Sequence, residues 1–455
     1  MMWLSEAARA LGAEYAGADV EFTSVGTDTR ALAAGALFVA LKGERFDGGD
    51  FVEQAFSQGA AAAMVRDPGT APAGRSLLVV ADTRLALGAL AAYWRAKFSI
   101  PLVALTGSNG KTTVKEMLAA ILRAAAGGTG ATGEASRVLA TTGNLNNDIG
   151  MPLTLLGLRP AHRYAVIEMG MNHGGEIRYL THLARPDVAL VNNAQRAHLG
   201  EVGSIDAVAR AKGEIFEGLP ADGTGVVNAD DPFAPLWRAQ LAGHKVVEFG
   251  LDRPTQVSGR YRLAGLHSEI EIDTPLGQAA ATLRAPGVHN VRNALAAAAA
   301  GVALAVPLAA IAAGLTSFSG VKGRLQIKPG LHGATVIDDS YNANPDSVDA
   351  ALAVLGRAGG KRLFVLGDMG ELGEDGPGLH AEVGARARAA GIDSLYALGE
   401  LSAHAVRAFG PGARHFSRIE DLLAATEAAL AADVTVLVKG SRFMRMERVV
   451  KRVER

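Results

Sequence analysis

The polar and apolar positions of the chain follow two patterns that recur along its length. Short apolar runs rich in Val, Ile and Leu predict buried strands, and stretches with apolar residues every three or four positions predict amphipathic helices. One such series begins at Ile100, with apolar runs at 102–105, 165–167, 188–191 and 225–227 and helical stretches between them. This alternation is typical of a mainly parallel sheet covered by helices.

A second series of the same kind follows residue 321. It predicts a small doubly wound, Rossmann-like domain, and its apolar runs are 335–337, 363–366, 395–397 and 434–438. Before it, alternating apolar and polar residues at 268–272 and 279–283 predict an antiparallel pair of strands, and an Ala-rich helix begins at Asn290.

The residues before Ile100 form a third unit, with a predicted strand at 37–41 and a predicted helix at 85–97. A chain of 455 residues is too long for one ordinary hydrophobic core. We therefore expect an α/β protein of three domains. They are a small N-terminal α/β domain at 1–99, a central domain with a mainly parallel sheet at 100–321 and a C-terminal Rossmann-like domain at 322–455.

Composition and charge narrow the class of protein. The 45 Lys and Arg residues nearly balance 46 Asp and Glu, and a net charge of −1 gives no footprint for nucleic acid or an anionic membrane. The chain has no cysteine, which excludes disulfides, thiolate catalysis and Cys-ligated zinc. Charges near the start argue against a signal peptide, and no apolar stretch reaches the ~18 residues of a membrane span. We expect a cytoplasmic protein.

The most informative motif follows the apolar run at 102–105 and reads TGSNGKTT. Gly107 and Gly110 let backbone N–H groups converge on phosphate oxygens, and the helix that follows adds the partial positive charge of its N-terminus. Lys111 can reach the β- and γ-phosphates, and the Thr112 hydroxyl can coordinate Mg²⁺. A Walker A loop would have its first glycine where Leu105 stands, so this loop is shorter. A glycine-rich turn without ligand is the alternative, but strand, Gly-Lys-Thr-Thr and helix together favour nucleotide binding.

Other candidates are ambiguous when each is taken alone. Glu168 ends the apolar run at 165–167, where it could hold a metal ion or could be a solvated strand-end carboxylate. His198, in a loop, and Lys212, in the helical stretch 208–216, are most simply surface residues. Arg324 could reach phosphates from the next domain or could be an exposed linker arginine.

Several longer segments, taken together, resemble the Mur ligase family, three-domain enzymes of bacterial peptidoglycan assembly. The shortened phosphate loop is itself a feature of that family, and the matching segments cover all three predicted domains. They are 28–51, GNLNNDIGMPLT at 143–154, AVIEMGMNHGGEI at 165–177, AKGEIF at 211–216, HNVRNALAAA at 289–298, DDSYNANPDS at 338–347, GDMGELG at 367–373 and VLVKGSR at 436–442.

The resemblance implies roles for residues around a nucleotide. ATP would lie on Gly107, Ser108, Asn109, Gly110, Lys111, Thr112 and Thr113, with Asn290, Asn293, Asp339 and Tyr341 nearby. Arg324 would contact its phosphates from the C-terminal domain, and Thr112 would hold a first Mg²⁺. Glu168 and His198 would be ligands of a second metal ion, and Lys212 would match a lysine that many family members carbamylate.

The resemblance also implies a substrate site and an activity. Asp28, Thr29 and Arg30 would bind the uridine-diphosphate substrate, and Asn144, Asn147 and Asp148 would line the central cleft. The implied reaction is ATP-dependent joining of D-alanyl-D-alanine to UDP-MurNAc-tripeptide through an acyl phosphate. Because the sequence shows no coiled-coil seam or repeat, we expect a monomer. A ligase for the third peptide residue, a folylpolyglutamate synthetase and a regulatory module that binds ATP without ligating are the alternatives.

Overall fold

The computed structural model describes residues 1–44, 46–127, 137–196, 203–265 and 267–455. Within these ranges the chain forms three α/β domains in sequence, so the predicted fold class is confirmed. No helix among the described residues combines the length and the hydropathy needed to cross a bilayer.

The N-terminal domain is built on a five-stranded sheet. The strands of the whole domain are β1 (Met2–Trp3), β2 (Glu14–Ala16), β3 (Glu21–Phe22), β4 (Ser24–Gly26), β5 (Ala36–Val39), β6 (Ala62–Val65) and β7 (Leu77–Val79). The helices of the domain are α1 (Leu4–Leu11), α2 (Val52–Ser57) and α3 (Thr83–Arg95). The sheet order is β2-β7-β6-β5-β4, in which β4 to β7 are parallel and β2 is antiparallel, while β1 pairs with β3. The predicted strand and helix at 37–41 and 85–97 correspond to β5 and α3.

The central domain contains a six-stranded sheet that is parallel throughout. Its strands are β8 (Leu102–Thr106), β9 (Val138–Ala140), β10 (Tyr164–Glu168), β11 (Val188–Val191), β12 (Thr224–Asn228) and β13 (Lys245–Phe249), in the order β13-β12-β11-β8-β10-β9. Every residue of β8 is buried, because helices cover both faces of the sheet.

Helices and a small antiparallel sheet complete this domain. The helices are α4 (Lys111–Ala125), α5 (Gly150–Leu156), α6 (Glu176–Ala184), α7 (Ile205–Gly213), α8 (Ala234–Gln240), α9 (Val288–Ala303) and α10 (Leu308–Ser317). The predicted antiparallel pair is confirmed as β15 (His267–Thr274) and β16 (Gly277–Leu283), and β14 (Ser258–Ala264), which the pattern did not predict, pairs with β15. The predicted helix at 208–216 ends early, since 214–218 is a 3-10 turn.

The C-terminal domain is doubly wound, as predicted. Its strands are β17 (Gln326–Pro329), β18 (Thr335–Asp339), β19 (Lys361–Gly367), β20 (Ser394–Leu398), β21 (Ala413–Phe416) and β22 (Val434–Lys439), in the order β17-β18-β22-β19-β20-β21. Its helices are α11 (Pro345–Leu355), α12 (Gly376–Ala389), α13 (Ser402–Phe409), α14 (Ile419–Ala428) and α15 (Glu447–Val453). The edge strand β17 is antiparallel and was not predicted.

Residues 99 and 321 remain predicted domain boundaries, and both fall between elements. Helix α3 attaches the N-terminal domain to the central one. The indole Nε1 of Trp94 donates to the Leu158 carbonyl at 3.1 Å, and the Arg95 guanidinium donates to the Ala184 carbonyl at 3.1 Å. Their side chains are 7% exposed, so these polar groups are satisfied inside the interface.

The close packing of α10 on α4 leads to a stability prediction. A Cβ atom at Gly314 would lie 2.3 Å from the Ile121 Cα, so Gly314→Ala should force the helices apart. We expect the free energy of unfolding to fall by about 1–3 kcal/mol. The steric clash should outweigh the ~1 kcal/mol that the higher helix propensity of alanine contributes. The measurement is the midpoint of thermal unfolding. In the control Gly378→Ala, a Cβ would meet no described atom within 4 Å, and we expect no decrease. Equal midpoints for the two variants would contradict the prediction.

Candidate active site

The candidate site lies where the carboxyl ends of β8, β10 and β11 meet. Strand β8 stands between β10 and β11. From β8 the chain goes on to β9 and β10 on one side of it, and then crosses to β11, β12 and β13 on the other side. Glu168 is aligned with Leu105, and Val191 with Thr106, so the residues after all three strands emerge at one edge. In open parallel sheets, ligands bind in the crevice at such a switch point.

The phosphate loop turns tightly between β8 and α4. Gly110 has φ +80°, and a Cβ there would lie 2.3 Å from the Asn293 Oδ1 and 2.6 Å from the Asn192 Nδ2. Glycine is therefore required for the backbone conformation and for the close approach of two side chains. The Lys111 ammonium donates to the Gly107 carbonyl at 2.6 Å and to the Ser108 carbonyl at 3.3 Å, which holds its charge over the loop.

A group of asparagines supports the loop. The Asn192 amide donates to the Asn109 carbonyl at 2.9 Å and to the Asn293 Oδ1 at 3.1 Å, and the Asn293 amide donates to the Asn290 Oδ1 at 3.2 Å. The Asn193 Oδ1 accepts the Asn109 N–H at 2.9 Å. These amides fix the backbone of the loop without bringing a negative charge to it.

Glu168 is a buried carboxylate with one oxygen satisfied and one not. Its side chain accepts from the Asn146 amide at 2.7 Å through Oε1, and its N–H donates to the Thr141 hydroxyl at 2.9 Å. The Oε2 atom is buried and has no hydrogen-bond partner among the described residues. An unpaired buried carboxylate oxygen is costly, so this atom fits a cation or a donor from a ligand.

Two buried lysines, Lys111 and Lys212, have lowered pKa values. Burial lowers the pKa of the Lys111 ammonium, Glu168 opposes that effect, and Arg324 adds to it. Burial, followed by repulsion from Lys111, lowers the pKa of Lys212 well below its usual range. Lys212 is 1% exposed on α7, so the interpretation of it as a surface lysine is wrong.

The C-terminal domain provides the opposite wall of the site. The Arg324 guanidinium stacks on the Tyr341 ring, 4.1 Å from its centroid. Asp339 accepts from the Lys439 ammonium at 2.5 Å and from the Leu325 N–H at 3.1 Å. Leu325 has φ +52°, an unfavourable conformation for leucine, and the hydrogen bond to Asp339 helps to hold it.

A cleft of about 970 Å³ separates the two walls. Ten of the predicted nucleotide-binding residues line it. They are Ser108, Asn109, Gly110, Lys111, Thr112, Thr113, Asn290, Asn293, Arg324 and Asp339. The Asn344 amide crosses the cleft and donates to the Asn109 Oδ1 at 2.9 Å. The interpretation of Arg324 as an exposed linker residue is therefore wrong.

Some predicted site residues lie elsewhere. Asn144, Asn147 and Asp148 do not line this cleft, because Asn147 accepts the N–H groups that begin α5 and Asp148 forms an ion pair with Arg84 of the N-terminal domain. Tyr341 lies behind Arg324 and does not line the cleft. His198 is outside the described residues.

The predicted uridine-diphosphate residues are in the N-terminal domain, away from the cleft. Asp28 accepts from the Arg30 backbone N–H at 3.0 Å and from its guanidinium at 2.6 Å, and these contacts lower the Asp28 pKa to about 2. Thr29 is buried and donates to Gln54 at 3.3 Å. The substrate roles remain predictions for all six residues: Asp28, Thr29, Arg30, Asn144, Asn147 and Asp148.

Four residues of the site were not singled out from the sequence: Asn146, Asn192, Asn193 and Lys439. Asn192 and Asn193 directly follow β11, so the strand-end rule that selected Glu168 also applies to them. Lys439 ends β22 and could have been found in the same way. Asn146 is recognised only through its contact with Glu168.

Comparison with known proteins identifies the class. Three family models match consecutive parts of the chain: "Mur ligase family, catalytic domain" at 21–95, "Mur ligase middle domain" at 105–301 and "Mur ligase, glutamate ligase domain" at 323–442. The chain belongs to the Mur ligase family.

Individual relatives are similar over almost the whole chain. The UDP-N-acetylmuramoyl-tripeptide–D-alanyl-D-alanine ligase of Escherichia coli is 43% identical, covering 99% of this chain and 98% of that protein. MurF of Acinetobacter baumannii superposes with a TM-score of 0.89 at 36% identity, over 98% of this chain and 97% of that one. MurF of Thermotoga maritima, solved in complex with ADP, gives a TM-score of 0.80 at 26% identity, over 94% of this chain and 96% of that one.

The environment of Lys212 leads to a prediction about pH. Between its lowered folded pKa and the ordinary value of 10.5, the unfolded chain binds a proton that the folded chain does not. Lys212 therefore reduces stability at pH 7, and this penalty fades as the pH rises towards the ordinary value. In protein freed of carbon dioxide and divalent cations, Lys212→Met should raise the unfolding temperature at neutral pH, by less at alkaline pH. The exposed Lys245→Met is the control and should show no such trend. An unchanged or lower temperature for Lys212→Met at neutral pH would refute the prediction.

Proposed function

We propose that the chain is an ATP-dependent amide ligase that joins D-alanyl-D-alanine to UDP-N-acetylmuramoyl-tripeptide in peptidoglycan synthesis. The observation that carries the proposal is the phosphate loop facing Arg324 across a cleft between two domains. The printed name of the E. coli relative supports the two substrates, and the ADP complex of the T. maritima protein supports the nucleotide.

In the proposed first step, a carboxylate oxygen of the tripeptide attacks the γ-phosphorus of ATP, and ADP leaves. The catalytic task is mainly to position the reactants and to neutralise charge. Lys111, held over the loop by two carbonyls, can turn to the β- and γ-phosphates, which are better acceptors. Arg324 reaches the transferred group from the other wall, where Tyr341 keeps the guanidinium plane fixed.

A Mg²⁺ ion fits the donor set beside the loop. Thr112, in the first turn of α4, lines the cleft and would hold a first ion. The Glu168 Oε2 is a buried oxygen without a partner among the described residues, and it would hold a second. No group of three or more His, Asp or Glu in the described part of the chain could hold a metal ion by itself, so phosphate oxygens would complete the coordination. When bound, the ion supplies charge neutralisation for the phosphates.

Lys212 is a candidate for carbamylation and, with Glu168 and His198, for binding a second metal ion. Its lowered pKa increases the neutral fraction of the amine, and only the neutral amine adds carbon dioxide. The carbamate would carry a negative charge next to Lys111, which removes the repulsion between the two amines. The same residue would then act as an oxygen ligand.

The second step forms the amide bond. The free amine of D-alanyl-D-alanine attacks the acyl phosphate carbon, the phosphate leaves with the electrons of its bond, and the amine loses a proton. Water would compete with the amine, so closure of the cleft before the first step protects the intermediate. The direct contact of Asn344 with Asn109 is consistent with a closed cleft.

The N-terminal domain is the proposed site of the uridine diphosphate. The Arg30 side chain is 85% exposed and paired only with Asp28 among the described residues, so a diphosphate can replace that exposed ion pair at little cost. We further propose a monomeric, cytoplasmic enzyme whose product is needed for cell shape and division, since peptidoglycan determines both.

An acceptor screen tests this function. Purified protein, ATP, Mg²⁺ and UDP-MurNAc-tripeptide should release phosphate with D-alanyl-D-alanine, and should do so much more slowly with meso-diaminopimelate, lysine or glutamate. Faster turnover with one of those amino acids would indicate a ligase for another residue. ATP hydrolysis that is independent of both substrates would contradict ligation.

The charge on Lys111 leads to a second prediction. Lys111→Ala should lower kcat of ligation by about a hundredfold or more, as when one donor that stabilises transition-state charge is lost. The unfolding temperature should not fall, because the Lys111 ammonium is a partly buried charge without an ion-pair partner in the described structure. Lys245→Ala, at an exposed position, is the matched control. Substantial ligation by Lys111→Ala would remove the phosphate loop from the mechanism.

A further inference from the structure

The loop that follows β11 is attached to the phosphate loop along its length. The Ser108 N–H donates to the Asn193 carbonyl at 3.0 Å, and the Gln195 N–H donates to the Ser108 hydroxyl oxygen at 2.9 Å. The Asn109 amide donates to the Gln195 Oε1 at 2.7 Å. With this many bonds, the two loops form one unit, and a shift of one displaces the other.

Arg196 lies in this loop and contacts the C-terminal domain. Its backbone N–H donates to the Asp346 Oδ2 at 2.8 Å, and its guanidinium Nε and Nη2 donate to the Oδ1 at 2.9 and 2.7 Å. Asp346 lies in the first turn of α11, whose N-cap is Asn344. The first turn of one helix thus contacts the phosphate loop through Asn344 and the adjoining loop through Asp346.

Further charges surround this contact. The Arg196 guanidinium lies 3.6 Å from Glu382 and 4.0 Å from Asp349, and Arg386 forms ion pairs with both of these carboxylates. The five side chains are between 23% and 43% exposed. Partly buried networks of this kind contribute more than single exposed ion pairs, and salt screens them only in part.

We propose that Arg196 is a positioning residue that couples the nucleotide-binding loop to the C-terminal domain through Asp346. The same domain carries Arg324 into the cleft, so a seated nucleotide and a closed cleft stabilise each other. Coupling of this kind is reciprocal: what strengthens closure also strengthens nucleotide binding, by the same factor. The inference deepens the proposed function and takes the identity of the nucleotide from it.

A purely structural ion pair would behave differently. Its removal would lower the unfolding temperature by the same amount with and without nucleotide, and would change neither nucleotide affinity nor the distance between domains. Coupling requires that the nucleotide affinity and the distance between domains both change. The two interpretations therefore differ in quantities that can be measured without ligase turnover.

The experiment uses the full chain with one label on each domain. The chain has no cysteine, so Ala221→Cys in the central domain and Ala408→Cys in α13, both exposed, give two unique labelling sites. Into this background go Arg196→Met, Asp346→Asn and the double variant. The control is Arg178→Met, because Arg178 forms a two-bond ion pair with Glu217 at 2.7 and 3.0 Å within the central domain. The probe is ADP with Mg²⁺. Calorimetry measures its binding affinity, and the distances between the two labels are measured with and without it.

We expect the control to bind ADP as the parent does and to show the same distances. Arg196→Met should weaken ADP binding about tenfold, within the range typical of coupled sites, and should broaden the distance distribution. The double variant should lose less ADP-binding free energy than the sum of the losses in Arg196→Met and Asp346→Asn. At about 1 M salt, where the Debye length is about 3 Å, the difference between Arg196→Met and the control should narrow.

Identical ADP affinity and identical distances in Arg196→Met and Arg178→Met would overturn the proposal. A parent protein that binds no ADP would instead contradict the proposed function. The ligand-free distances still test the coupling contact in that case: broader distances for Arg196→Met than for Arg178→Met support it, and equal distances overturn it.

Discussion

The rest of the structure depends on the convergence of cationic groups in one partly buried cleft. Burial lowers the pKa of Lys111, with Glu168 opposing that effect and Arg324 adding to it across the cleft. Burial, and after it repulsion from Lys111, lowers the pKa of Lys212. Repulsion between like charges is strong where water is partly excluded, and the folded protein bears that cost. An anion with several charges, such as a nucleotide phosphate, removes the repulsion. The cleft is therefore complementary to its proposed ligand before the ligand arrives.

This constraint explains why the loop is supported by amides. A carboxylate in place of Asn192 could not donate to the Asn109 carbonyl, and it would also neutralise the charge meant for the phosphates. Two of the carboxylates near the loop have partners. Asp339 is paired with Lys439, and one oxygen of Glu168 is occupied by Asn146. The Glu168 Oε2 has no hydrogen-bond partner among the described residues and suits a cation that accompanies the nucleotide.

The sequence predicts what depends on neighbours along the chain. The buried strands, the helices after them and the turn at Gly110 follow from local patterns, and nearly every predicted strand was found. Contacts between distant residues could not be predicted in this way. Arg196 and Asp346 are 150 positions apart, and no periodicity links them. Lys212 shows the same limit, since a lysine among apolar residues on a helix becomes a buried amine only when another layer covers it.

The division into domains also follows from the charges. If Arg324 stood on the central domain next to Lys111, the two cations would repel each other at all times, and the loop would be strained without a ligand. Placed after the predicted domain boundary, Arg324 would enter and leave the cleft with the C-terminal domain in the proposed closure. Its own position is rigid, because Tyr341 stacks on it and Leu325 is held at φ +52° by Asp339, a conformation that costs about 1–3 kcal/mol. In the proposed closure, delivery of Arg324 from a separate domain would complete the cationic site when the cleft closes, which is when a water-sensitive acyl phosphate needs protection.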